Sequence, residues 1–347
     1  MTETRILITG ATGYIGGSIL TDLLRTNHRA KDYVISALVR RADQAKALES
    51  KGVNPILFKD LDDSETITRA ASEHDIVINT ASGFHTSSAR ALILGLSSRQ
   101  KQTGSQTHFI HTSGTSNLAD RPLTRSYTES RIFTDKSDIY AYEKHREELE
   151  VYAQRTTDLA VTDTGLAHGV KTYIIMSPTI YGVGTGLFNT LSIQIPTLMR
   201  DANISGSAAV LGNGREYWDH VHIADLVGLY GVLLGKIVEG ETIPSGKAGI
   251  YFSGTGEHTW LQVSEGIAKA GVELGVLESE GVREIGIAEA AGRWTGGNER
   301  VVELAYASRA RTRAVLGREL GWKPVKTDGD FEESFLTEFR VVLEEGK

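Results

Sequence analysis

Short apolar runs rich in β-branched residues recur through the first half of the chain, at 5–9, 33–39, 55–58, 75–80, 107–112 and 171–176. Each has the length of a strand and is followed by a polar or helix-patterned stretch. Strands that alternate with helices predict a parallel sheet covered on both faces, hence an α/β class. Helices fit 14–25, 64–72 and 138–154, the last (DIYAYEKHREELEVYAQ) with the charge pattern of a half-exposed helix. After Tyr181 the rhythm changes. VHIADLVGLYGVLLG reads as a buried helix, IYFSGTG as one more strand, and the chain from Trp260 onward as mostly helical with glycine breaks. The pattern divides the molecule into one lobe at 1–180 plus 216–254 and a smaller, mostly helical lobe at 181–215 plus 255–347.

Composition narrows the functional classes. A chain of 347 residues, 40% hydrophobic and 23% charged with 6 prolines, is long enough for a large core and excludes a long disordered tract. A net charge of −7 without a basic run argues against nucleic-acid binding and leaves small molecules as the expected partners. The absence of cysteine excludes disulfides, thiolate metal ligands and a cysteine nucleophile, and fits a reducing compartment, so a cytoplasmic location is expected and no metal site. The N-terminus lacks the layout of a signal peptide, and no stretch reaches the roughly 18 apolar residues of a membrane span.

The most informative stretch is ILITGATGYIGGS at 6–18, where an apolar strand runs into Gly10, Gly13 and Gly16 and then a helix. One glycine permits a tight turn, a second lets backbone approach a pyrophosphate, and a third lets helix and strand pack closely. The helix N-terminus adds N–H donors and a positive dipole end. The second strand ends in ALVRRADQ, with Arg40 and Arg41 where an NAD site would carry an acid for the ribose 2′-hydroxyl. Arginines there suit a 2′-phosphate, so NADP(H) is the expected cofactor, with NAD(H) as the alternative.

The spacing Thr9-Gly10-x-x-Gly13-x-x-Gly16, the YAYEK pair Tyr140 and Lys144, and the segment MSPTIYGVGTG resemble the extended short-chain dehydrogenase/reductase family, an NAD-dependent epimerase/dehydratase-like group. That resemblance implies a doubly wound parallel-sheet Rossmann fold with a smaller substrate lobe. It implies that Gly10, Thr12, Gly13, Tyr14, Ile15 and Gly16 form the cofactor loop, that Asp60 and Leu61 meet the adenine, and that Thr80, Ala81, Ser82 and Thr112 line the cofactor beyond the pyrophosphate. Pro178, Thr179 and Ile180 would touch the nicotinamide. Tyr140 would be the general acid/base, with Lys144 holding the ribose and lowering the phenol pKa; at i, i+4 on a helix the two share one face. A phenol ionises near pH 10 (about 10 in model peptides), so it needs such a cation to exchange protons near neutrality. A strand-end hydroxyl, from Thr115 or Ser113, would steady the substrate oxygen.

Departures are visible too. Gly114 falls where the family has its second serine, Leu92 where it often has an asparagine, and Ser177 where it has an arginine. Asp225 reads as fixing a helix start, His222 as a packed or capping residue and Trp218 as core. Phe84, His85 and Tyr127, in segments expected to border the pocket, lean toward an aromatic or apolar carbonyl compound.

The activity implied is NADP(H)-dependent reduction of a carbonyl, or oxidation of a secondary alcohol, by hydride transfer. Alternatives are a nucleotide-sugar epimerase or dehydratase with retained NAD, and a non-catalytic NADP-sensing regulator. The resemblance also implies a homodimer paired through helices near 88–101 and 138–155.

Overall fold

The computed structural model describes residues 3–25 and 33–345. Seven parallel strands form the main sheet: β1 (Thr4–Thr9), β2 (Tyr33–Val39), β3 (Asn54–Leu57), β4 (Ile76–Asn79), β5 (His108–Gly114), β7 (Lys171–Ser177) and β11 (Ile250–Phe252). Their spatial order is β3-β2-β1-β4-β5-β7-β11, so the sheet reverses direction of winding between β1 and β4. Ligands of such sheets bind beyond the carboxyl ends of the strands at that reversal. The strands lie within a residue or two of the expected runs. Central strands are apolar on both faces because helices cover both sides: β4 is buried at all four positions.

The covering helices are α1 (Tyr14–Arg25), α2 (Ala42–Glu49), α3 (Ser64–Ser72), α4 (Thr86–Thr103), α5 (Ile139–Leu149), α6 (Ala153–His168) and α8 (Ile223–Val238). The expected helix at 138–154 is two helices. α5 ends at Leu149, Glu150 and Tyr152 are extended, and α6 starts at Ala153. Three contacts stabilise the break. The Glu147 carboxylate accepts the Tyr152 N–H at 3.0 Å and the Thr156 hydroxyl, so a side chain of α5 caps α6. The Arg155 guanidinium donates to the Glu150 carbonyl at 2.8 Å, satisfying a group the break would orphan.

Three small sheets complete the chain: β8 (Thr179–Tyr181) with β10 (Tyr217–His222) and β12 (Gly256–Thr259); β9 (Ala208–Leu211) with β13 (Val282–Ile285); and β6 (Ile132–Thr134) with β14 (Arg311–Arg313). The remaining helices are α7 (Gln194–Ser205), α9 (Trp260–Glu273), α10 (Ile287–Trp294), α11 (Glu299–Tyr306), α12 (Leu316–Glu319) and α13 (Asp328–Glu345). Two apolar clusters form, one around the main sheet and one among α7, α9, α11 and α13. The chain crosses between them more often than the sequence division implies. Trp218 packs in the second cluster, whereas Ala314, Leu316 and Trp322 return to the first. Among the described residues no helix is long and apolar enough to cross a membrane.

Candidate active site

β1 delivers Thr9 to the turn, where Gly10 adopts φ 72°, a left-handed conformation that a side chain would strain. A Cβ on Gly10 would stand 2.7 Å from Thr80 Oγ1 and 2.8 Å from Ala81 N, and one on Gly16 would press into Thr80 Oγ1 and the Gly10 carbonyl. Thr80 itself donates to the Thr9 carbonyl at 2.7 Å, fastening the β4 turn to the loop. Gly13 differs: a Cβ there would meet only the Gly10 carbonyl, at 3.2 Å, so its outer side is open. Two tight glycines and one open one, followed by the first turn of α1, make a cradle that fits a pyrophosphate.

The segment following β8 lies over this helix. The Tyr14 hydroxyl donates to the Gly182 carbonyl at 2.6 Å, Ser18 Oγ accepts from Thr185 N at 3.1 Å, and the Thr21 hydroxyl donates to the Thr185 carbonyl at 2.9 Å. Tyr14 therefore holds protein rather than offering its hydroxyl to a cofactor. The buried Glu338 accepts the Gly182 N–H at 2.7 Å, and burial pushes its carboxyl up to about 7. Since the folded pKa exceeds the ordinary 4.5, the folded state holds the proton more tightly, and stability falls as pH rises between those values. Glu338→Gln keeps the acceptor without the charge, so its stability relative to the parent should improve by about 1–3 kcal/mol between pH 5 and pH 8 in paired denaturant titrations.

At the end of β2, Arg40 and Arg41 are both exposed. Arg41 is engaged with Asp43 at 2.6 Å, while Arg40 has no ion-pair partner among the described residues. Asp60 Oδ1 accepts the Asp62 N–H at 2.9 Å within its own turn, and Asp63 caps α3. Leu61 is half-buried beside them, Ala81 is exposed, and Ser82 accepts the Phe84 N–H at 3.1 Å. Pro178 and Thr179 are buried and Ile180 half-buried in the turn from β7 into β8. Leu92 is core in α4, His222 caps α8 through Ala224 N, and Asp225 accepts the N–H groups of Val325 and Lys326, each at 2.9 Å.

The expected catalytic residues do not come together. Tyr140 and Lys144 lie on α5 at helical spacing, but the Tyr140 hydroxyl donates to Asp163 of α6 at 2.6 Å, its ring faces the Lys247 ammonium at 4.8 Å, and Lys144 is exposed. The Asp163 bond, then burial, push the Tyr140 phenol up to about 12, the opposite of what the Tyr-Lys pairing requires. Neither residue has a hydrogen bond to Ser113 or Thr115. Ser113 points under the surface and donates to Asp158 at 2.5 Å; Thr112 pairs with Tyr230, also at 2.5 Å. Thr115 opens a 3-10 turn (Thr115–Asn117) with its hydroxyl fully buried and unpartnered.

That turn instead brings Ser116 outward to a residue the sequence reading passed over. Tyr152, the N-cap of α6, donates from its hydroxyl to Ser116 Oγ at 3.2 Å, and Ser116 donates to Gln154 Oε1 at 2.6 Å. Phe84 meets the Tyr152 ring edge-on with centroids 5.9 Å apart, and the Arg155 and Arg300 guanidiniums each stand 5.6 Å from that ring. Burial raises the Tyr152 phenol, while the Ser116 bond and the two cations oppose the rise. Removing a cation disfavours phenolate, so Arg300→Gln should raise the Tyr152 pKa. The phenolate absorbance titration, taken as the difference from Tyr152→Phe, reads that change directly. A signal for Tyr152 existed in the sequence: the helix leading straight into the Lys171 strand must pack on the sheet and start near the end of β5.

Beneath the surface a polar chain links the strand ends. Thr9 donates to Asn79 at 2.6 Å, Asn79 meets His111 at 2.9 Å, and His111 Nε2 stands 3.4 Å from Asp158. Asn117 Nδ2 then bridges Asp158 at 2.7 Å and Glu143 at 2.8 Å, both fully buried. Burial, followed by the Asp158 charge, raises the Glu143 carboxyl far above its ordinary range.

The model of the NAD dependent epimerase/dehydratase family matches residues 6–244. The chain belongs to this family. A relative described as "Oxidase ucsJ" of Acremonium sp is 32% identical over 341 residues, spanning 92% of this chain and 93% of the relative. Among solved structures, the dTDP-glucose 4,6-dehydratase DesIV of Streptomyces venezuelae, with NAD and TYD bound, is 17% identical, with a TM-score of 0.67 over 98% of this chain and 97% of its own. A UDP-glucose 4-epimerase of Thermotoga maritima, with UDP-glucose, is 15% identical, with a TM-score of 0.63 over 98% of this chain and 100% of its own. The Rossmann-type fold is thus shown, and a nicotinamide dinucleotide is the cofactor that family membership and the glycine cradle support together.

Proposed function

We propose that this family member is an NADP(H)-preferring oxidoreductase that exchanges hydride with a small carbonyl compound or the matching secondary alcohol. The observation that carries the reading is the Tyr152–Ser116 hydroxyl pair beyond the carboxyl end of β5, two strands from β1, which leads into the glycine cradle. A bound nicotinamide would supply or accept the hydride. The chain's own groups do the rest. Gly10, Gly13, Gly16 and the first turn of α1 hold the pyrophosphate, and Thr80, Ala81 and Ser82 border the path toward β5. Tyr152 hands its proton to the substrate oxygen during reduction and takes it back during oxidation, with Ser116 orienting the hydroxyl. Arg155 and Arg300 ease the charge left on the phenolate. The Tyr140–Lys144 pair remains the competing assignment, and its hydroxyl would first have to leave Asp163. The relative's description as an oxidase supports redox chemistry over isomerisation. Phe84, beside Tyr152, supports an aromatic or apolar carbonyl substrate.

For the cofactor, the exposed Arg40, unlike Arg41 not engaged with Asp43, supports the reading of an arginine that meets a 2′-phosphate. Losing a charge-assisted contact of this kind should lower the NADPH-over-NADH affinity ratio by about 10–100-fold in Arg40→Glu, with NADH binding little changed. Parallel fluorescence titrations with the two cofactors measure it. Equal ratios in parent and variant would remove Arg40 from the site. Consumption of NADPH in the presence of a ketone and aldehyde panel tests the activity itself.

A further inference from the structure

We propose that the side-chain amide of Gln154 is the donor that holds the substrate's carbonyl oxygen. This rests on the hydride-exchange reading above. When hydride adds to a carbonyl carbon, the C=O π pair moves onto oxygen, and a donor fixed in advance at that oxygen stabilises the growing charge. Of the other hydroxyls near the end of β5, Ser113 donates to Asp158 and Ser116 to Gln154 Oε1, while Thr115 is fully buried; the Tyr152 hydroxyl, which rests on Ser116, is the one that turns to deliver its proton. Gln154 Nε2 has no hydrogen-bond partner among the described residues. It lies against two glycines that end adjacent strand turns, 3.1 Å from where a Cβ on Gly83 would be and 3.1 Å from where a Cβ on Gly114 would be. The missing side chain at Gly114 is what gives the amide its room.

The amide is also held in orientation. Ser116 donates to Oε1 and so turns Nε2 toward Gly83 and Gly114. The neighbouring Arg155 ties α6 to the strand-end turn through the Asn117 carbonyl at 2.7 Å, fixing the helix start that carries Gln154. In the step, hydride from a reduced nicotinamide forms the C–H bond, and the oxygen takes the Tyr152 proton. The phenolate regains a proton from water. Gln154 donates a hydrogen bond throughout and transfers nothing.

The test uses the full chain with NADPH and acetophenone. Gln154→Glu keeps the acceptor for Ser116 but removes the N–H, and should lower kcat by about 100-fold while the NADPH dissociation constant stays within about twofold. Gln154→Ala should fall similarly, and Gly114→Ser added to it should recover about tenfold, because the vacated space admits a hydroxyl. A readout that needs no turnover is the Gln154 side-chain amide resonance pair, recognised as the pair lost in Gln154→Ala. It should shift when acetophenone is added to protein loaded with NADP+. Wild-type rates in Gln154→Glu, or an unmoved amide pair at saturating acetophenone, would overturn the assignment and leave the hydride-exchange reading standing. If the wild-type protein consumes no NADPH with acetophenone or with any of the ketone and aldehyde panel, that reading fails and this assignment goes with it.

Discussion

Tyr152→Phe should lower kcat for NADPH-dependent carbonyl reduction by about 10²–10⁴-fold, the range for loss of a positioned general acid. Cofactor affinity should not change, because the ring, its Phe84 contact and its two guanidinium neighbours all remain. Tyr140→Phe supplies the contrast. Its hydroxyl serves Asp163, so the variant should lose about 1 kcal/mol of stability and keep its turnover. Steady-state kinetics with a denaturant titration on both variants separates the two tyrosines. The reverse pattern, a dead Tyr140→Phe beside an active Tyr152→Phe, would return the chemistry to α5.

Gly16→Ala should be the most damaging single methyl in the nucleotide-facing half of the molecule. Its Cβ would enter the space of Thr80 Oγ1 and the Gly10 carbonyl, and the Gly10 carbonyl already accepts the Gly13 N–H at 2.8 Å. The helix must move away from β1, which widens the cradle and breaks the fastening of the β4 turn. Overpacking of this kind costs about 1–3 kcal/mol, and NADPH affinity should fall by at least about 100-fold. Thermal unfolding and a fluorescence titration read the two effects independently. Gly13→Ala, with only one neighbour at 3.2 Å, should unfold close to the parent and lose affinity alone.

Much of the fold was legible because its signals are local. The glycine loop is legible as a spacing after an apolar strand, although two of its glycines are required by the close approach of Thr80 and Ala81 from the β4 turn. The sheet strands announce themselves as apolar runs because both faces are covered. The helix break at Glu150 was not legible, since charge and apolar spacing continue through LEVYAQ, and the residue that caps the new helix, Glu147, belongs to the old one. On the reading proposed above, that boundary moves the candidate general acid from α5 to the start of α6. Whether Ser113, Thr115 or Ser116 faces outward depends on a 3-10 turn anchored through Ser113 and Asn117 to Asp158, a residue far away in sequence. Arg40 and Arg41, by contrast, read alike in the sequence, and only the Asp43 contact tells them apart.

The return of the C-terminal segment to the first core has a consequence for engineering and descent. Trp322 donates its indole N–H to the Asp225 carbonyl at 2.8 Å, and Asp225 in turn receives the backbone of Val325 and Lys326. Hybrids that graft everything past residue 254 from a relative would strip α8 of a partner it cannot replace. The two halves of this chain are thus not interchangeable parts joined at a seam. An exchange of segments with a relative therefore has to let 314–326 travel with the half to which it is physically bound.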